Sequence, residues 1–191
     1  TINTTIIEPT KLEMYTIVQF LNIAPMVILF SNRKSKLEKE IVEILIACGA
    51  DVISDKSVVS AGGFFTLAIC YKKTEINTKK AIALYVDDSA KFKNQILPDE
   101  VVGICEDKNI NALENFKKNK VAVVTCGNNA KNTITLSSIE KGNYILTLQR
   151  QITNLKGDTL CPADYKITLE KQYSPEAVML SGAVLCLIDR N

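Results

Sequence analysis

The run Met26-Val27-Ile28-Leu29-Phe30-Ser31, opened by Pro25, does most to constrain the fold. Five successive apolar residues leave a strand no wet face, and such a strand belongs inside a parallel sheet covered on both sides by helices. The next residues supply a cover. Ser35 and Glu38 have capping-box spacing, and Leu37, Ile41, Leu45 and Cys48 recur at steps of three or four. That pattern predicts an amphipathic helix stopped at Gly49. Ala50-Asp51-Val52-Ile53 then returns toward the sheet and completes a β-α-β unit.

A second unit follows the same grammar. Val101 to Cys105 reads as a strand and Glu106-Asp107-Lys108-Asn109 as a polar turn. Ile110, Leu113 and Phe116 line the inner face of a short helix, and Val121 to Thr125 form another buried-type strand. Between the units, Phe64 to Tyr71 and Ala81 to Val86 are strand-like, and the polar connection Lys72 to Lys80 suits a hairpin or a long turn. Beyond Gly127 the pattern changes to alternation of polar and apolar residues in Thr133 to Ser137, Tyr144 to Leu148 and Tyr165 to Leu169, the mark of antiparallel strands with one wet face. Ser174-Pro175-Glu176 starts a last helix, with Val178, Leu185 and Ile188 inward and Gly182 and Ala183 permitting close approach. The expected class is α/β: a mostly parallel sheet flanked by helices, then a small antiparallel sheet and a C-terminal helix. Residues 1–24 read as an N-terminal segment and 25–191 as a single domain. Its parallel layer spans 25–127, and its antiparallel strands and closing helix span 128–191.

Composition narrows the chemistry. The 191 residues include no histidine, which removes the usual base of a Ser or Cys triad, mixed Cys/His zinc sites and the 2-His-1-carboxylate iron site. With 23 basic and 21 acidic residues the net charge is +2, and the lysine pairs at 72–73, 79–80 and 117–118 are scattered, so no nucleic-acid partner is expected. Four of the six cysteines, Cys48, Cys70, Cys105 and Cys186, sit in apolar runs, and none is spaced C-x-x-C. Reduced thiols are expected throughout, with Cys48, Cys70 and Cys186 buried. The longest apolar stretch, Ile17 to Phe30, is broken by Gln19, Asn22 and Pro25, and no signal peptide is visible. No membrane contact and a cytoplasmic location are the expectation.

Ligands of open α/β sheets collect beyond the carboxyl ends of the strands, which selects the loops at 31–34, 87–89, 106–109 and 126–129. The candidate ligand-binding residues are Arg33, Lys34, Asp87, Asp88, Cys126, Gly127 and Asn128. Arg33 and Lys34 at a helix start suit an anion, Asp87 and Asp88 suit Mg²⁺, and Cys126 would be an exposed thiol acidified by backbone N–H groups or Lys131. Each also has a plainer use: a solvated first turn, a turn and helix cap, an inert thiol. No residue is assigned to catalysis or to a metal, and no cofactor is expected.

From about Ala83 onward the order of features resembles the second half of the central, ATP-binding domain of the Mur ligases, which add amino acids to peptidoglycan precursors. Ala83-Leu84-Tyr85-Val86-Asp87-Asp88 is similar to that family's strand ending in Asn-x-Asp-Asp, and Val123-Val124-Thr125-Cys126-Gly127 to its Val-x-Thr-Tyr/Phe-Gly strand. The small-residue helix at Ala177 to Leu187 falls in the right place. The family's phosphate loop, Gly-x-Asn-Gly-Lys-Thr/Ser, is replaced here by Ser31-Asn32-Arg33-Lys34-Ser35, without glycine. The run from Gly127 to Thr133 echoes that loop but leads into a strand, and Tyr173-Ser174-Pro175-Glu176 stands where the family has a His-Asn pair. The resemblance implies a degenerate, ATP-incompetent relative without the family's other two domains. Such a chain would be a non-catalytic binding or scaffolding domain, working through a protein partner or a second copy of itself. The alternatives are a phosphate- or nucleotide-binding enzyme using Asp87, Asp88, Lys34 and Lys131 with Mg²⁺, and an α/β protein outside this family.

Overall fold

The computed structural model describes residues 24–32, 35–60, 62–78, 80–88, 90–140 and 142–189. Strand β1 (Met26–Phe30) is followed by α1 (Lys36–Ala47), β2 (Ala50–Ile53), β3 (Val58–Val59), β4 (Phe65–Cys70) and β5 (Ala81–Tyr85). Next come a 3-10 turn at Ala90–Phe92, then β6 (Val101–Glu106), α2 (Ile110–Asn119) and β7 (Ala122–Cys126). β8 (Ile134–Glu140), β9 (Asn143–Leu148), β10 (Ile152–Thr153), β11 (Thr159–Leu160), β12 (Ala163–Thr168) and α3 (Pro175–Leu187) complete the order.

One ten-stranded sheet carries nearly all of this, in the order β12-β9-β8-β7-β6-β5-β1-β4-β2-β3, while β10 and β11 pair apart from it. The five strands expected to be parallel are parallel: β1 lies between β4 and β5, and β6 and β7 continue outward from β5. The antiparallel strands expected after Gly127 extend this same sheet, with β8 joined to β7 through Cys126 and Ile134. A hairpin at Lys72 to Lys80 is overturned. β4 and β5 flank β1 in parallel, so that connection crosses over β1, tied down by Thr74 N–H to Gln95 Oε1 at 3.0 Å.

Burial on both sides makes the alternation useful rather than amphipathic. Val27 and Leu29 of β1, with Ile82 and Leu84 of β5, join Ile41, Leu45 and α3 in one core. Ile28 and Phe30, with Ala83 and Tyr85, face Phe92, Ala112 and Phe116 in the other. Each fully buried Leu, Ile or Phe contributes about 1.5–3 kcal/mol of transfer free energy, so the central strands anchor both layers.

Two helix faces differ from expectation. Ile110, the first residue of α2, is exposed, and the helix faces the core with Ala112, Asn115 and Phe116, with Leu113 partly buried against it. α3 is buried almost all round, with Leu185 only partly so, because it is packed against α1 on one side and β6, β7 and β8 on another. A helix apolar on every side is what such a position requires. The six cysteines are free; Cys70, Cys105, Cys126 and Cys186 are buried, Cys48 only partly, and Cys161 is exposed. Among the described residues, no helix is long and apolar enough to cross a membrane.

Candidate functional site

The chain leaves β1 toward α1 and the β4 side of the sheet, whereas it leaves β5 toward the opposite core and β6. Connections that diverge from neighbouring strands open a crevice at their carboxyl ends. Here that crevice lies between Ser31, which follows β1, and Asp87, which follows β5. Ser31 Oγ stands 3.4 Å from Asp87 Oδ2 across it.

The protein's own side chains occupy this crevice. Ser35 caps α1 as its spacing predicts, accepting from Glu38 N–H at 3.0 Å. The reciprocal half of the capping box is diverted: Glu38 turns its carboxylate inward, where it accepts from Ser31 Oγ and from Tyr71 OH at 2.8 Å. Glu38 is 6% exposed. Asn32 Nδ2 reaches over to the Asp88 carbonyl at 2.7 Å, Asn109 Nδ2 donates to the Asp87 carbonyl at 2.6 Å, and Asn111 Nδ2 donates to Asp88 Oδ1. Asp87 itself sits at φ 62°, a left-handed conformation that Asp tolerates better than most residues.

Beside the crevice, the turn after β6 meets the loop after β7. Asn132 Nδ2 donates to Asp107 Oδ2 at 2.8 Å, and both groups press on Gly127, where an added Cβ would lie 2.6 Å from Asn132 Nδ2 and 2.8 Å from Asp107 Oδ2. Gly127 is therefore a packing requirement of this polar cluster. Burial pushes the Glu106 carboxyl above its ordinary range; the Lys108 charge opposes this, and Glu176, Asp107 and Asp87 add to it. This edge of the sheet is acidic, yet among the described residues no group of three or more His, Cys, Asp or Glu side chains is arranged to hold a metal ion.

The sequence-based candidates separate accordingly. Asp87 and Asp88 stand at the crevice, Gly127 lies buried next to it, and Asn128 is exposed at its margin. Arg33 and Lys34 lie outside the described residues. Cys126 requires correction: it is not an exposed, acidified thiol. It is fully buried, its Sγ lies 3.7 Å from the Met179 carbonyl in α3, and burial drives its pKa well up. Glu38, Tyr71 and Asn111 were missed, and Asn109 was met only as the last residue of the candidate loop 106–109. Glu38 had the signal of a surface cap, and nothing local marks a tyrosine or asparagine whose partner is 22 to 33 residues away.

Two cavities lie elsewhere. One of about 450 Å³ is lined by Lys80, Glu100, Ala122, Gln151 and Leu187, among others. The other, of about 630 Å³, is a groove between the ends of α1 and α3 and strand β12, walled by Cys48, Phe64, Leu146, Tyr165, Leu185 and Cys186. Neither is lined by Ser31, Glu38, Asp87 or Asp88.

No family model and no curated protein matches the chain. Solved structures do. The UDP-N-acetylmuramate:L-alanyl-gamma-D-glutamyl-meso-diaminopimelate ligase from Neisseria meningitides superposes with a TM-score of 0.52 at 10% identity, over 91% of this chain and 63% of that one. The UDP-N-acetylmuramoylalanyl-D-glutamyl-2,6-diaminopimelate--D-alanyl-D-alanyl ligase from Acinetobacter baumannii gives 0.46 at 9% identity, over 88% of this chain and 44% of that one. The chain thus spans less than two thirds of either ligase. The likeness extends well beyond the half of the chain that carries the sequence motifs, and at these identities it is one of fold: this is a Mur-ligase-like α/β domain.

Proposed function

We propose that this chain is a non-catalytic domain of Mur-ligase-like fold that acts by binding a protein partner or a second copy of itself, and not by turning over a nucleotide. The observation that carries the reading is the placement of Glu38. A helix N-terminus that follows a parallel strand is a ready anion site, because its free N–H groups and dipole favour negative charge. In α1 the first-turn anion is the protein's own carboxylate, buried and held by Ser31 and Tyr71. Asp87 faces the same Ser31 hydroxyl, which brings a second carboxylate to the crevice among the described residues.

The described residues therefore do not fit Mg·ATP. The loop from Ser31 to Ser35 contains no glycine to let backbone amides wrap a phosphate. Asn32 is spent bridging to the Asp88 loop, and Asp88 is held by Asn111. A reducing, cytoplasmic setting belongs to the same reading and is supported by the six free thiols. Calorimetry with Mg·ATP tests it. The expected result is no binding in the micromolar range. Micromolar affinity that disappears in Asp88→Ala or Lys34→Ala would overturn the reading in favour of a nucleotide-binding enzyme.

A further inference from the structure

β12 ends the ten-stranded sheet, and among the described residues only β9 pairs with it. Its outer edge presents backbone donors and acceptors along six residues, Ala163–Thr168, the arrangement that accepts another strand. Asp164, Lys166 and Thr168 are exposed, while Tyr165 and Ile167 are half-buried beside the groove walled by Leu146 and Leu185. Charges on an edge ordinarily deter pairing, since a foreign strand leaves them unmatched. Here the two charges have opposite signs and stand two residues apart, on one face of the strand. Such a pattern is the complement of its own reverse.

We propose that β12 pairs antiparallel with β12 of a second copy, about a two-fold axis at Tyr165, and so joins two sheets edge to edge. Symmetry and charge select this register. Directly opposed residues in an antiparallel pair share a face, and a two-fold axis perpendicular to the sheet preserves faces, so the axis must pass at a residue and not between two. At Asp164 it would oppose two carboxylates; at Lys166, two ammonium groups. At Tyr165 it opposes Asp164 to Lys166 of the second copy, twice over, and brings the two tyrosines together at the mouth of the groove. One carboxylate oxygen is engaged on the β9 side, where Thr147 Oγ1 donates to Asp164 Oδ1 at 2.6 Å, so the ion pair with the second copy would use the other. This rests on the association reading above and names its surface.

The test uses the full chain in analytical ultracentrifugation. A concentration-dependent dimer is expected. Asp164→Lys and Lys166→Asp should each weaken it about tenfold, since each variant opposes like charges twice across the axis. An equimolar mixture of the two variants should recover the wild-type affinity, because each then meets the opposite sign. A chain that stays monomeric, a dimer indifferent to either reversal, or a mixture that fails to recover would overturn the proposal. The outcome is separable from the nucleotide test: a monomer that also ignores Mg·ATP refutes this surface alone, whereas Mg·ATP binding by an intact dimer refutes the non-catalytic reading alone.

Discussion

Gly103 is the most revealing single position to perturb, because two general effects oppose each other there. It lies in the middle of β6, between Ala83 of β5 and Val123 of β7. Replacing a strand glycine by alanine lowers the entropy lost on folding, worth about 0.5–1 kcal/mol in favour of Gly103→Ala. Against this, the new Cβ would lie 2.6, 2.7 and 2.8 Å from three atoms of the Phe116 ring. Ordinary carbon contacts are at about 3.5–4.0 Å, so the ring must retreat by roughly 1 Å. It has nowhere to go: Phe116 is fully buried, and Tyr85 meets it edge-on with centroids 5.0 Å apart. Tyr85 is itself pinned by Asn115 Nδ2 at 2.8 Å from its hydroxyl. Overpacking of this kind costs about 1–3 kcal/mol; with the ring pinned the upper part of that range applies, about 2–3 kcal/mol, and the net loss is about 1–2.5 kcal/mol. Urea denaturation monitored by circular dichroism measures it, with an unchanged m-value as the check that only stability moved. Adding Phe116→Leu should relieve the clash, so the double variant should be more stable than the sum of the singles predicts, by about 1 kcal/mol. A Gly103→Ala protein as stable as wild type, or strict additivity in the cycle, would refute the packing argument.

The other expectations are simpler to read. Burial works against ionisation of Glu40, but hydrogen bonds from the Ser174 hydroxyl and N–H, with Lys36 nearby, outweigh it and hold the carboxyl below its ordinary value of 4.5. A depressed folded pKa contributes stability above the unfolded value that is lost as pH falls through the folded one. The urea midpoint of wild type should therefore fall more steeply below about pH 4.5 than that of Glu40→Gln, and parallel acid profiles would contradict this. With Ellman's reagent Cys161 should react first. Burial pushes Cys105 up to about 12 and Cys186 up to about 11, and it raises Cys126 well above its ordinary value, so these three should react only on unfolding; a fast Cys126 would reopen it as a site residue. The calorimetric test with Mg·ATP and the charge-reversal test at β12 stand as given above.

The elements and the fold class were legible in the residues themselves. The Met26 to Phe30 run, apolar throughout, marked an interior parallel strand, the helical steps at Ile41 and Leu45 marked a face turned to a sheet, and Ser35 and Ser174 capped the helices their spacing announced. Those signals are local, carried by periodicity and by hydrogen bonds within one turn. The order of the strands, the joining of β8 to β7 and the crossover from β4 to β5 past β1 emerge only in the folded sheet, since pairing depends on which runs meet and not on what each contains. The same limit held at the crevice. Asp87 and Asp88 were legible because a strand leads straight into them. Glu38 read as a cap and became the buried anion of the crevice, because Ser31 and Tyr71, 7 and 33 residues distant, converge on its two oxygens. Cys126 read as exposed because Gly127 follows it, yet α3, some fifty residues later, closes over it. A side chain's burial and its partners belong to the segments that pack on it, and a chain read residue by residue does not contain that information in one place.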